Sequence, residues 1–161
     1  MAFAAAIVAV ALGVLSWRVP PGSGRLGLDV RVLAASSGEL AATRTGPIAS
    51  ASGLEPGRSV SGTTSLRNQT GSVLAVRLRA LPSSRDADAS LRVELRSGGR
   101  VLYSGPLGGL RRPTRASFRL APTRSAEVSA RAWVPAAAEG WRGRIVDVQL
   151  EPVARPVRGR P

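Results

Sequence analysis

Apolar and charged residues alternate with a period of two in several short segments of this 161-residue chain. Leu28, Val30 and Val32, for example, are separated by Asp29 and Arg31. The same alternation recurs in residues 73–80, 91–96, 127–134 and 144–150. Because successive side chains of a strand point to opposite faces of a sheet, the pattern predicts strands with one buried face and one solvated face.

Turn-forming residues separate these segments. Glu55-Pro56-Gly57 precedes a further strand predicted at 58–67, and Asn68-Gln69-Thr70-Gly71 follows it. Ser97-Gly98-Gly99 predicts a hairpin. About seven or eight short strands with such turns between them predict an all-β fold, an antiparallel β-sandwich of the jelly-roll or immunoglobulin-like type.

The N-terminal segment differs from the rest of the chain. Residues 2–17 carry no charge, and Arg18 and Pro20-Pro21 follow them. The segment is shorter than the roughly 20 residues of a membrane-spanning helix, which favours a secretory signal. An uncleaved membrane anchor is the alternative, whereas the two prolines disfavour a helix of the core. We therefore expect an exported protein that is extracellular or lies at the cell surface.

The chain divides into four predicted regions. These are a signal peptide or membrane anchor at 1–18, a linker at 19–25, a β-sandwich domain at 26–153 and a disordered basic tail at 154–161. Within the domain, the small and polar residues 34–53 predict a long connection, and 135–139 predict one helical turn.

The composition excludes several kinds of chemistry. The chain has no His and no Cys, and all 23 of its cationic side chains are Arg. Zinc, haem and iron–sulfur sites need ligands that are absent from this sequence. Thiol and Ser-His-Asp catalysis and lysine-based chemistry are excluded on the same ground. We therefore expect no enzymatic activity, no cofactor and no metal site.

The order of the turns and strands resembles the TasA/camelysin family of exported bacterial β-sandwich proteins. The resemblance rests on Leu54-Glu55-Pro56-Gly57-Arg58, Leu66 to Gly71, Leu91 to Leu107, Leu120-Ala121-Pro122 and the segment from Val134 to Gly143. It implies a cell-surface or extracellular matrix protein, of the kind that forms biofilm fibres. The metalloprotease activity ascribed to camelysin-type members does not carry over, because no His is present.

Three short motifs have more than one interpretation. Residues 22–27 match G-x-G-x-x-G, but a strand follows them instead of a helix, which favours a linker over a nucleotide site. Asp86 and Asp88 suggest either a cation site or a polar loop at 82–90, and Glu94 could join them as a glycosidase carboxylate. Asn68-Gln69-Thr70 matches the glycosylation sequon, although a strand-end turn is the simpler interpretation.

Arginine is the main candidate for binding. Without Arg18 and three arginines of the tail, 19 arginines face 10 acidic residues, a net charge of +9. Such a field attracts polyanions. Arg77 and Arg79 occupy outward positions of one predicted strand and Arg92 and Arg96 those of another, so that they could line one sheet face. The candidate binding residues are Arg77, Arg79, Arg92, Arg96, Arg131 and Trp133.

Two hypotheses of function follow. The first is a structural or interaction protein of the cell surface that self-associates through sheet edges, with 26–33 or 34–53 as a donated strand. The second is a secreted module that binds anionic wall polymers or membrane surfaces. Nucleic acid is disfavoured because aromatic residues for base stacking are scarce. A hydrolase using Asp86, Asp88 and Glu94 has the least support.

Overall fold

In a computed structural model the protein is a β-sandwich of two five-stranded sheets. The structure describes residues 28–34, 39–42, 48–81, 85–137 and 145–157. The strands are β1 Leu28–Ala34, β2 Leu40–Ala42, β3 Ala49–Leu54, β4 Ser59–Asn68, β5 Leu74–Ala80, β6 Arg92–Ser97, β7 Arg100–Pro106, β8 Phe118–Leu120, β9 Ser125–Trp133 and β10 Ile145–Pro156. Two short helices, α1 Arg85–Ser90 and a 3-10 helix Leu107–Arg111, lie between strands.

The first sheet has the strand order β3-β1-β10-β5-β8. β1 runs parallel to β10, whereas the other pairs of this sheet are antiparallel. Val148 and Leu150 of β10 and Val76 and Leu78 of β5 point into the core. The residues between them on each strand therefore form the outer face of the first sheet.

The second sheet has the order β2-β4-β9-β6-β7, and all its pairs are antiparallel. β6 and β7 form the hairpin predicted at Ser97-Gly98-Gly99, where both glycines have positive φ angles. A β-bulge interrupts this hairpin near Leu95 and Arg96. β4, β9 and β6 contribute alternate residues to the core and leave Ser, Thr, Arg and Glu side chains on the outer face.

The core lies between the sheets and is built of aliphatic side chains from both. Its largest fully buried members are Leu40, Leu66, Leu74, Leu91, Leu95, Leu107, Leu110, Leu150, Val76 and Val93. Close approach of two strands occurs at Gly62 of β4, where a Cβ atom would overlap the carbonyl oxygen of Ile48 beside β3. Only glycine fits this position without moving the backbone.

The predicted all-β sandwich is confirmed, and the structure refines its details. The described residues form ten strands, not about seven or eight, because the predicted connection 34–53 contains β2 and all of β3 except its last residue. One pair of strands is parallel, so the sandwich is not wholly antiparallel. β10 continues to Pro156, past the predicted domain boundary at residue 153, because its last residues pair with β5.

Several predictions fall wholly or partly outside the described residues. These are the apolar segment 2–17, the linker 19–25 with its glycine motif, the end of the predicted helical turn 135–139, and residues 158–161 of the tail. In the part of the chain that the structure describes, no helix is long and apolar enough to cross a bilayer.

Candidate functional site: two arginine-bearing sheet faces

The six predicted binding residues lie on two different sheets. Arg77 and Arg79 are on β5 of the first sheet, whereas Arg92 and Arg96 are on β6 of the second. The prediction that these four arginines line one face is therefore wrong. The physical reason is that the chain between β5 and β6 crosses from one sheet to the other, with α1 in the connection, instead of forming a hairpin.

On the outer face of the first sheet, Arg79 forms an ion pair with an acidic residue. Its Nε donates to Oε2 of Glu151, the residue opposite it on β10, at 2.6 Å. This hydrogen bond, with the attraction of the opposite charge, raises the pKa of Arg79 above its ordinary value. Arg79 therefore has an ion-pair partner on its own sheet, and Glu151 is occupied by it.

Three further arginines surround Ala75 on the same face. Ala75 is the register partner of both Arg119 on β8 and Arg155 on β10, and Arg77 lies two residues along β5. Because neighbouring strands lie about 4.8 Å apart, the Cα atoms of Arg119 and Arg155 are about 10 Å apart across the small Ala75 side chain. We call Arg77, Arg119 and Arg155 the arginine triad.

The arginine triad is exposed and has no ion-pair partner within the described residues. Glu151, in the neighbouring row of the same face, binds Arg79 instead. Each guanidinium can offer a planar fork of donors to phosphate or carboxylate oxygens. Arg119 and Arg155 were missed by sequence reasoning, since the face they share depends on which strands pair with β5.

On the outer face of the second sheet, arginines surround Trp133. Trp133 of β9 is the register partner of Arg92 on β6 and of Ser59 on β4. Arg131 lies two residues earlier on β9, and its guanidinium carbon is 5.6 Å from the centroid of the Trp133 ring. This is within the range of a cation–π interaction. The predicted placement of Trp133 and Arg131 on one face is confirmed. We call the surface of Arg92, Arg131 and Trp133 the Trp133 face.

Arg96 lies beside the Trp133 face but is paired. Its Nε donates to Oε1 of Glu94, two residues away on the same strand, at 2.8 Å. The hydrogen bond and the charge of Glu94 raise the pKa of Arg96. Glu94 is also the register partner of Arg131 on β9, but in the described part of the chain neither Arg92 nor Arg131 forms an ion pair. Hydroxyl groups lie beside them on the same face, from Ser59, Ser61 and Thr63 on β4 and from Ser129 on β9.

Two of the three carboxylates considered as a cation or glycosidase site serve other roles, and the side chain of Asp86 lies outside the described part of the structure. Asp88 lies in α1, where a polar loop was predicted, and its carboxylate accepts from Arg111 of the 3-10 helix. Glu94 is on the outer face of the second sheet and binds Arg96. Among the residues that the structure describes, no group of three or more His, Cys, Asp or Glu side chains could hold a metal ion.

Asn68 serves as a strand-end residue, as the simpler interpretation of its motif predicts. Its side chain is fully buried and donates to the carbonyl oxygens of Ser72, Leu120 and Ala121. A glycan could not be attached to this nitrogen in the folded protein, because the amide would have to leave these bonds and reach solvent.

Thr64 lies beside a small cavity between the sheets. The cavity is lined by aliphatic residues and Pro152, and the Thr64 hydroxyl is buried with no hydrogen-bond partner among the residues that the structure describes. The lining is apolar and has no cluster of polar groups that could orient a ligand. This cavity therefore offers no ligand site, and the candidate binding residues of the described chain are those of the two outer faces.

Comparison with known proteins adds a distant structural likeness. No family model matches the chain, and no curated protein matches it. Solved structures similar to this chain include the N-terminal domain of PorA, at 5% sequence identity and a TM-score of 0.31, covering 80% of this chain and 90% of that chain. A likeness of this strength carries no argument about the site or its ligand.

Proposed function

We propose that this protein is a non-enzymatic interaction protein of the cell surface that binds anionic polymers. The observation that carries the proposal is the arginine triad, three exposed cations around Ala75 whose charges no described acid neutralises. Each cation contributes an electrostatic attraction to a polyanion, and together they fix where the polymer lies. The ligand that we propose is a phosphate-bearing polymer, because each guanidinium group can bind two oxygens of one phosphate.

The location at the cell surface is part of the same proposal. It is supported by the uncharged residues 2–17 and by the turns that resemble the TasA/camelysin family. We expect the protein in the envelope or outside the cell. Cell fractionation followed by N-terminal sequencing of the recovered protein separates a cleaved signal from a retained anchor. Recovery of the intact chain from the cytosol would overturn this part.

A binding experiment tests the choice of ligand. The full chain is titrated into fluorescently labelled long-chain inorganic polyphosphate at low salt. We expect Arg77→Gln, Arg119→Gln and Arg155→Gln together to weaken binding about tenfold or more and to reduce its salt dependence. A control with the same change in net charge replaces Arg58, Arg100 and Arg112, which are exposed and lie outside the triad. It should weaken binding less than about threefold.

Two results would overturn the proposal. One is equal loss of affinity in the triad variant and in its control, which would mean that net charge alone matters. The other is binding of vesicles of anionic lipid without any binding of polyphosphate, which would mean that the ligand is a membrane surface.

Association with another chain through a sheet edge is a second candidate function. The edge that favours it is β7. This strand ends the second sheet, and no described strand pairs with its outer side. Val101 on β7 is one of the exposed large apolar residues. A second chain could pair there by main-chain hydrogen bonds. The β-bulge, Arg100 and Pro106 oppose such pairing, which is why we place it second.

The strand 26–33, considered for donation to another chain, has partners of its own. β1 lies between β3 and β10 in the first sheet, so donating it would break both pairings. Sedimentation across a range of concentrations tests association at β7. We expect Val101→Lys to abolish any oligomer that forms, and a monomer at every concentration would exclude this candidate.

A further inference from the structure

The two basic surfaces of the protein point in opposite directions. The arginine triad is on the outer face of the first sheet, and the Trp133 face is on the outer face of the second. Packed sheets lie about 10 Å apart, and the side chains of each outer face extend away from the other sheet. A short anion bound to one face therefore cannot contact the other.

The Trp133 face offers the same kind of recognition as the triad. Arg92 and Arg131 lie on adjacent strands, and neither forms an ion pair within the described residues, since Glu94, the register partner of Arg131, binds Arg96. The cation–π contact with Trp133 holds the Arg131 guanidinium close to the sheet surface, which lowers the conformational entropy lost on binding. The hydroxyl groups of Ser59 and Ser61, on β4 beside these residues, are further donors to phosphate oxygens.

We infer that the protein is bivalent: the arginine triad and the Trp133 face each bind a segment of a phosphate-bearing linear polymer, so that one protein molecule cross-links two polymer segments. The inference rests on the proposed function and adds the second site and its consequence. A chain with one site would coat a polymer, whereas a chain with two opposed sites joins polymers into a network. Multivalent attachment then strengthens the assembly without any contact between protein molecules.

Cross-linking and binding are measured separately in the experiment. Long-chain inorganic polyphosphate is the probe, light scattering reports cross-linking, and titration of labelled polyphosphate reports affinity. Mixtures of the wild-type full chain with polyphosphate should scatter strongly near charge balance. The scattering should disappear when polymer is in excess, since there are then too few protein molecules for each polymer chain to join the chains into a network. Tripolyphosphate should bind without scattering, because it is too short to be joined.

Variants of each face distinguish two sites from one. Arg92→Gln with Arg131→Gln should retain binding within about tenfold, through the intact triad, but lower scattering at least about fivefold. The triad variant should bind more weakly, with the tenfold or greater loss expected above, because only the Trp133 face remains, and it should lose scattering to at least the same extent. Arg92→Lys with Arg131→Lys keeps the charges and should restore most of the scattering. Arg58→Gln with Arg112→Gln is the charge-matched control and should scatter like the wild type.

The outcomes separate this inference from the proposed function. If the wild type binds polyphosphate but the Arg92 and Arg131 variant scatters as strongly as the wild type, bivalency is wrong and the proposed function stands. If the wild type binds without scattering at any ratio, bivalency is likewise wrong. If the wild type does not bind polyphosphate at low salt, the proposed function itself fails. Unfolding midpoints of the variants within about 2 °C of the wild type show that each variant is folded.

Discussion

The Asn68 side chain donates from Nδ2 to the carbonyl oxygen of Leu120 at 3.0 Å, and so joins the end of β4 in the second sheet to the end of β8 in the first. The same amide also donates to Ser72 at 2.8 Å and to Ala121 at 3.1 Å. Its oxygen accepts from the backbone N–H and the hydroxyl of Thr70. Every polar atom of this buried side chain has a partner, so Asn68 fixes the turn after β4 and the edge of the other sheet together.

Replacing Asn68 should destabilise the protein strongly. Asn68→Ala leaves buried carbonyl groups without their donor, and we expect the free energy of unfolding to fall by about 3 kcal/mol. Asn68→Asp should be no better, because a carboxylate cannot donate. Denaturant unfolding measures the change, with Gln69→Ala at the exposed neighbouring position as a control that should stay within about 0.5 kcal/mol. A loss below about 1 kcal/mol for Asn68→Ala would contradict the role given to this residue.

Thr64 is the opposite case, a buried hydroxyl without a hydrogen-bond partner in the described part of the chain. Thr64→Val keeps the shape of the side chain and removes the unpaired polar group. We expect the free energy of unfolding to rise by about 1 kcal/mol, since burying an unpaired hydroxyl is costly. Thr63→Val is the matched control, because Thr63 points to solvent from the same strand. A destabilised Thr64→Val variant would show that the hydroxyl has a partner, such as a buried water.

Gly62 should not tolerate a side chain. Alanine at this position would place its Cβ atom against the backbone of Ile48, and the two strands would have to separate. We expect Gly62→Ala to lower the free energy of unfolding by about 2 kcal/mol or more. Gly71→Ala is the control, since nothing lies within 4 Å of a Cβ atom there. If the two substitutions had equal effects on thermal unfolding, the close approach of Ile48 to β4 would be wrong.

The outward and inward residues of the strands were predictable, and the pairing of the strands was not. The alternation around Arg77 and around Arg92 identifies both as outward, and both are exposed. Nothing in either segment states that the chain changes sheets between them. Whether the chain changes sheets depends on packing between residues distant in sequence, and local periodicity does not reveal such packing.

The arginine triad could not be predicted from the sequence for the same reason, because it depends on the pairing of the strands. Arg119 and Arg155 meet at Ala75 only because β8 and β10 both pair with β5. The sequence places Arg155 in a segment rich in Pro and Arg, which is typical of a tail. Its pairing with Ala75 extends β10 beyond the predicted boundary, and that pairing depends on the partner strand. A candidate site made of residues from several strands can therefore be recognised only when the order of the strands in the sheet is known.

Tyr103 should make stability depend on pH in the alkaline range. Burial raises the pKa of its hydroxyl above the ordinary 10.0. The folded state then holds this proton more tightly than the unfolded state, so the free energy of unfolding falls as pH rises above about 10. Tyr103 is the single Tyr in the chain, and no Lys or Cys titrates in this range. Phenolate absorbance should show a midpoint above 10, and Tyr103→Phe should remove the pH dependence. A midpoint at or below 10 would contradict the burial of this hydroxyl.

Binding of a polyanion should depend on salt and not on pH near neutrality. The cationic side chains are all Arg, which stay charged, and the chain has no His or Cys. Asp and Glu ordinarily titrate near pH 4, so the side-chain charge is constant between about pH 6 and 9. Dextran sulfate is a suitable probe because its own charge is also constant. At fixed ionic strength we expect its Kd to change less than about twofold over this range, whereas a fourfold rise in salt should weaken binding about tenfold or more. A strong dependence on pH combined with a weak dependence on salt would mean that arginine charge does not drive the binding.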